Sequence, residues 1–243
     1  MNTTRNSPII DRLRTVADAT KIALRNPGDT SQAFRIAQAL SFNTPERLLA
    51  RVRRSETGEA LLRDKPRLLD VLTDEQITGN WAEGSFGRAY LDFLESEGIS
   101  AAGLVEASEQ GAADYYDYDD PDLVYLQERI RDQHDLWHTL TGYRGDLLGE
   151  AGVLAFSFAQ TKHPGVGFLA GLGMVFGRSP KHRRFVAQGF RKGRKAAWLP
   201  DQPWEQLLAL PLDEVRQRLG IEPAGEYEQV REPPQLRLAR WLN

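Results

Sequence analysis

The chain has 243 residues and a mass of 27.4 kDa, above the usual single-domain length of roughly 100–200 residues, so one large helical domain or two small ones are allowed. With 41 % apolar and 27 % charged residues it excludes collagen-like, coiled-coil and wholly disordered classes, and the absence of cysteine removes disulfide scaffolds, thiolate metal sites and thiol nucleophiles. A net charge of -3 and the lack of any recognisable binding motif argue against a nucleic-acid partner.

The first residues, MNTTRNSPIIDRLRTVADATK, hold no continuous apolar region and carry Asp11 and Asp18, so neither a secretory nor an organelle signal is expected and a cytoplasmic location follows. Apolar residues at helical spacing (Ile9, Leu13, Val16, Ala17, Ile22, Leu24) predict a helix from Pro8 to Arg25 that stops at Asn26-Pro27-Gly28. The next starts at Thr30 or Ser31, and Thr44-Pro45-Glu46 opens another through Arg54. Asn80 to Phe86 reads as a loop, followed by a helix from Gly87 to Glu97 that ends at Gly98, and Ser100 caps a short one. Asp120-Pro121 opens a strongly periodic segment that ends near Gly142 to Gly145, and Asp146 caps a helix through Thr161. Ser179-Pro180 begins a basic helix to Ala197, with short helices over Trp204 to Ala209 and Asp213 to Leu219. No repeat and no sustained period-two alternation occurs, so the expected fold is all-α: a single helical domain over 1–222, a central helix-turn-helix, and a loosely held Pro- and Glu-rich tail over 223–243.

The stretch HDLWHTLTGYRGDLLGE, His134 to Glu150, carries the chemistry. Successive helical residues are separated by about 100°, so His134 and His138 lie one turn apart on one face and both imidazoles can approach one cation. Asp135 lies beside that face, and a turn through Gly142 and Gly145 returns the next helix antiparallel, with Glu150 one turn into it. Gly149 permits close backbone approach there. Histidine pairs at this spacing also occur on plain helices; here half of the chain's four histidines fall within five residues, followed by a glycine-punctuated turn and an acid. Two nitrogens with one or two carboxylates suit a divalent metal, either zinc or iron(II). The pattern departs from the zinc-protease HExxH in having Asp at 135 and a different spacing to Glu150, so no hydrolytic base is assigned.

HD-x2-H-x11-E, filled by His134, Asp135, His138 and Glu150, resembles the signature of the ubiquinone-biosynthesis family known as coenzyme Q protein four. GSFGRAYLDFL, DPDLVYLQERIRDQHDLWH, LGEAGVLAFSFAQ, GRKAAWLP and WEQLLALPLDEVRQRLGI are similar to family members in order and spacing, from about Asn80 to Ile221. The resemblance implies a mainly helical, membrane-associated homodimer that holds a divalent metal with those four residues and binds a polyprenylated quinone precursor. It further implies loss of the ring carboxylate inherited from 4-hydroxybenzoate, coupled to hydroxylation, or else a scaffold that organises other ubiquinone-biosynthesis proteins. A peripheral place on the inner face of a bacterial membrane fits that reading. Arg129 and Asp132 stand near the motif either to orient the histidines or as surface charges.

All eight basic residues between His163 and Pro200 (Arg178, Lys181, Arg183, Arg184, Arg191, Lys192, Arg194 and Lys195) fall in one segment without acids, interleaved with Phe185, Val186 and Phe190. They form either a helix on an anionic membrane surface, aromatics dipping inward, or a solvated face whose apolar residues pack into the core. The glycine-rich run GVGFLAGLGMVFG has no strand before it and is no dinucleotide fingerprint. It is also too short for the ~20 residues that a membrane span requires. It serves tight helix packing, or lines an isoprenoid tunnel with Phe168, Leu172 and Phe176.

Overall fold

The computed structural model describes residues 7–26, 28–103, 105–106, 118–176 and 179–231, the side chain of Phe176 excepted. Within them the chain forms α1 (Ile9–Arg25), α2 (Ser31–Ala39), α3 (Thr44–Val52), α4 (Glu56–Asp64), α5 (Leu68–Thr73), α6 (Glu75–Thr78) and α7 (Phe86–Glu97). There follow α8 (Pro121–Asp132), α9 (His134–Thr141), α10 (Leu147–Thr161), α11 (Pro164–Phe176), α12 (Pro180–Lys195), α13 (Trp204–Leu207) and α14 (Leu212–Leu219). The fold is all-α.

The helix boundaries follow from local chemistry. Asp120, Asp146 and Ser179 each accept a backbone N–H of the first turn, as their positions before α8, α10 and α12 demand. Gly98 and Gly142 end α7 and α9 with φ of 67° and 70°, in the left-handed region that glycine enters without strain. Two features depart from expectation. Helices α4 to α6 fill the stretch between Arg54 and Asn80, for which no helix is expected; Ser55 Oγ accepts the Gly58 N–H, with Glu56 and Glu59 in the first turn of α4. The periodic segment from Asp120 is interrupted at Gln133, a fully buried residue whose Oε1 accepts the indole N–H of Trp204, so His134 begins a new helix.

Helix α9 contributes its apolar residues to the main core. Leu136, Trp137, Leu140 and Tyr143 pack with Phe86, Tyr90 and Phe93 from α7, Val153 and Phe156 from α10, and Trp204, Leu208 and Val215 near the C-terminus. Arg129 on α8 is 1 % exposed at its side chain and grips Glu205 with both terminal nitrogens, at 2.7 and 2.9 Å, while also donating to the carbonyls of Pro66 and Gln202. It thus ties α8 to the C-terminal helices.

Helix α10, which carries Glu150, is set by glycine contacts on two sides. A Cβ on Gly189 of α12 would lie 2.3 Å from the Gly152 carbonyl oxygen, and one on Gly193 would lie 2.5 Å from that of Phe156. On the other side a Cβ on Gly173 of α11 would come within 2.4 Å of the Ala151 methyl, and one on Gly167 within 2.8 Å of the Phe158 ring. Tight packing is therefore what the glycine-rich run does at 167 and 173, whereas a Cβ at Gly171 would meet nothing within 4 Å. Gly189→Ala is expected to cost about 1–3 kcal/mol, because two backbones must separate to admit one methyl. A lowered urea midpoint with an unchanged m-value checks it.

The Pro- and Glu-rich segment after Glu222 is tied down as far as Arg231. Ala224 N–H donates to the Thr141 carbonyl at 2.7 Å, Leu147 N–H to the Val230 carbonyl at 2.9 Å, and Lys192 Nζ to the Pro223 carbonyl at 2.7 Å. Residues 232–243 lie outside the described residues. Among the described residues no helix is long and apolar enough to cross a membrane.

Candidate metal centre

Helix α9 presents His134 and His138 on one face, and the Gly142 turn brings α10 back so that Glu150, in its first turn, meets them. The Nε2 atoms of the two histidines are 3.2 Å apart. Glu150 Oε1 stands 3.3 Å from His138 Nε2, and Oε2 stands 3.9 Å from His134 Nε2. Among the described residues these three form a group whose ligand-type atoms all lie within 4.8 Å of one another.

His138 is fixed most firmly. Its Nδ1 lies 2.9 Å from the Tyr143 carbonyl, which can only accept, so Nδ1 carries a proton. Phe93 stacks on its ring at a centroid distance of 5.2 Å, and the two imidazoles meet edge to face at 4.9 Å. A neutral His138 therefore turns the Nε2 lone pair toward a carboxylate oxygen and a second imidazole nitrogen. Acceptors aimed at one point repel unless a positive charge lies between them. One proton bridges one pair of these atoms at a time; a divalent cation answers all three. The donor set fits zinc or iron(II), with two nitrogens and one oxygen.

In the metal-free cluster a proton on His138 supplies that positive charge. Burial alone would push His138 down, but the charge and hydrogen bond of Glu150, with Asp135 behind it, outweigh burial and raise it to about 9. Burial likewise acts to raise Glu150, and His138 and His134 overcome this to hold the carboxyl at about 2. His134 is pushed down by burial and by the neighbouring His138. These shifts carry signs for stability. The His138 contribution is complete below its ordinary 6.5 and is lost as pH rises through about 9. The Glu150 contribution is present above 4.5 and is lost as pH falls through about 2. A metal must also displace the His138 proton, so zinc affinity is expected to climb by up to about tenfold per pH unit from pH 6 and to level off near pH 9. Calorimetric titration in buffers of different ionisation enthalpy would count that proton.

The other residues singled out in the sequence stand elsewhere. Asp135 is not in the three-residue group: the next position on a helix is rotated by about 100°. It is buried, and burial raises its carboxyl against the pull of both imidazoles. Arg129 is committed to Glu205, and Asp132 to Arg131 at 2.7 Å. The group that orients His138 is the Tyr143 carbonyl, for which the signal was a backbone reversal just after the Gly142 cap. Phe185, Val186 and Phe190 of the basic helix turn inward, against Tyr143, Tyr227 and Phe158, so its aromatics are not free to dip into lipid. Lys181, Arg183, Arg184, Arg191, Arg194 and Lys195 remain exposed, Lys192 is half-buried, and Arg178 lies outside the described residues. Phe168 and Leu172 are half-buried; the side chain of Phe176 lies outside the described set. A cavity of about 640 Å³ borders His138 from another direction, lined among others by Phe93, Tyr143, Arg144, Arg216 and Tyr227.

A helical fold that gathers two imidazoles and a carboxylate where two successive helices meet defines a class, the all-α protein with a histidine-and-carboxylate candidate metal centre. The chain belongs to the coenzyme Q (ubiquinone) biosynthesis protein Coq4 family, whose model matches residues 4–225. It is 31 % identical over 183 residues to the mitochondrial ubiquinone biosynthesis protein COQ4 of Yarrowia lipolytica, covering 72 % of this chain and 65 % of that one. Against the mitochondrial COQ4 homolog of Nematostella vectensis it is 28 % identical over 218 residues, covering 85 % and 99 %. A crystal structure from Nostoc punctiforme, described as that of a candidate ubiquinone biosynthesis protein, shares the fold with a TM-score of 0.60 at 22 % identity, over 89 % of this chain and 96 % of that one. Membership of this family places the chain in ubiquinone biosynthesis.

Proposed function

We propose that the chain is a metal-dependent oxidative decarboxylase of a polyprenylated, 4-hydroxybenzoate-derived ring. The observation that carries the reading is the convergence of His134 Nε2, His138 Nε2 and a Glu150 oxygen on one point, in a chain of this family. His134, His138 and Glu150 would hold one zinc or iron(II) ion; the ion would supply a Lewis acid for the ring carboxylate and phenolic oxygens and, if iron, a site for dioxygen. In the reaction the aryl–carboxyl bond breaks and carbon dioxide leaves, the ring carbon takes its new oxygen from water, and dioxygen takes up the two electrons and two protons released and leaves as hydrogen peroxide. The Tyr143 carbonyl holds a proton on His138 Nδ1, so Nε2 is the nitrogen that would bind once its own proton is displaced. Phe93 holds the ring in plane, and burial of His138 keeps bulk water from one side of the group. The cavity beside His138 offers room for an aromatic ring.

The exposed cations of α12 support docking on an anionic membrane surface, each contributing about 1 kcal/mol near such a surface. A homodimer and contacts with other ubiquinone-biosynthesis proteins belong to the same reading. Purified chain loaded with iron(II), zinc or cobalt(II), given a carboxylated prenyl precursor under air, should release carbon dioxide and yield the ring hydroxylated where the carboxylate stood. No turnover with any metal, alongside retained binding of the precursor, would replace the enzyme by a lipid-binding scaffold.

A further inference from the structure

The chain after α14 runs back as a strap across the turn that joins the two ligand-bearing helices. At its centre the Tyr227 hydroxyl donates to Asp146 Oδ2 at 2.6 Å and accepts from the Arg144 N–H at 2.8 Å. Asp146 is 2 % exposed, and its other oxygen accepts from Leu148 N–H at 3.1 Å and from Val230 N–H at 2.8 Å. One buried carboxylate thus holds the first turn of α10 and the strap together. The Asp146 carbonyl in turn accepts the Glu150 N–H at 2.8 Å, so the ligand stands one helical turn above this junction. Packing beneath the hydroxyl leaves no slack: a Cβ on Gly149 would lie 2.4 Å from the Tyr227 oxygen and 2.0 Å from the Arg144 carbonyl. The Tyr227 ring is held independently, against Phe185 at a centroid distance of 4.5 Å.

We propose that Tyr227 is a positioning residue of the metal centre: by clamping Asp146 to the 143–146 turn it sets the first turn of α10, and with it the approach of Glu150 to the two imidazoles. The proposal rests on the metal reading given above. Neither oxygen of the clamp touches the three ligands, yet both ends of the turn between His138 and Glu150 are fastened through it: Arg144 by its N–H, Asp146 by its carboxylate.

The test is a cobalt(II) titration of the full chain followed by visible d–d absorption, with circular dichroism as a check on folding. Tyr227→Phe retains the ring contact and loses both hydroxyl hydrogen bonds. Cobalt affinity is expected to fall about tenfold, with a changed band shape. Arg231→Gln, which releases the strap's contact with Glu97 at 3.3 Å, is expected to leave affinity and spectrum as in the wild type. Should Tyr227→Phe fail to fold, Asp146→Asn replaces it, with the same direction expected. Wild-type affinity and spectrum in Tyr227→Phe would overturn the positioning role while the metal reading stands, and so would an equal loss in Arg231→Gln, which would reduce the strap to a general support. A wild-type chain that takes up no cobalt, zinc or iron(II) would overturn the metal reading itself, and the positioning role with it.

Discussion

His138→Ala is expected to abolish stoichiometric zinc and cobalt binding, a loss of at least about a hundredfold, with turnover lost in parallel. The expectation is strongest at this position because His138 is joined to everything else in the centre. It is the fully buried member of the group, it stands within 3.3 Å of both other side chains, and its remaining nitrogen is anchored on the Tyr143 carbonyl. Removing it takes away a ligand and the charge that holds Glu150 ionised, and it leaves the Tyr143 carbonyl without its partner. His134 and Glu150 are partly buried, at 26 % and 39 % side-chain exposure, and two such groups on separate helices make a poor chelate. Equilibrium dialysis with elemental analysis measures the result, with circular dichroism showing that the helices persist. Metal retained at wild-type affinity would place the site elsewhere.

Glu205→Ala is expected to cost about 3–5 kcal/mol, because it strands a guanidinium that is 1 % exposed. For a chain of this size about 1 kcal/mol lowers the melting temperature by roughly 2–4 °C, so a fall of about 10 °C is expected by calorimetry. The carbonyls of Pro66 and Gln202 remain as acceptors for Arg129, but neither neutralises its charge. The effect should be one of stability alone. Arg129 donates nothing to the histidines, so protein that remains folded should give the wild-type cobalt spectrum.

The gathering of His134, His138 and Glu150 is legible in the sequence because its geometry is local. A four-residue spacing, a capped helix end and a short turn put two imidazoles and Glu150 in one neighbourhood without reference to the rest of the fold. Spacing fixes an angle on a helix but not which side chains finally converge, and Asp135, next to His134 in sequence, is not in the group of three. The partner of Arg129 lies 76 residues away, and no local pattern announces Glu205. Helices α4 to α6 are only four to nine residues long, and α4 and α5 are held by long-range packing such as that of Leu61, Leu62, Leu68 and Leu72. The strap escaped for a related reason. Pro- and Glu-rich composition suggests poor burial, yet residues 223–231 are fastened largely through backbone N–H and carbonyl groups, which composition does not encode.

The glycine contacts of α10 with α12 have a consequence for how far this protein can drift. Gly189 and Gly193 sit among cations on a half-exposed helix and touch no proposed ligand, so an inventory of chemical groups would pass over them. Yet a substituted α carbon at either place would wedge two main chains apart and carry the acid at 150 with it. Lysine and arginine around them can exchange freely, whereas these two hydrogens are expected to be as invariant among sibling proteins as the imidazoles themselves.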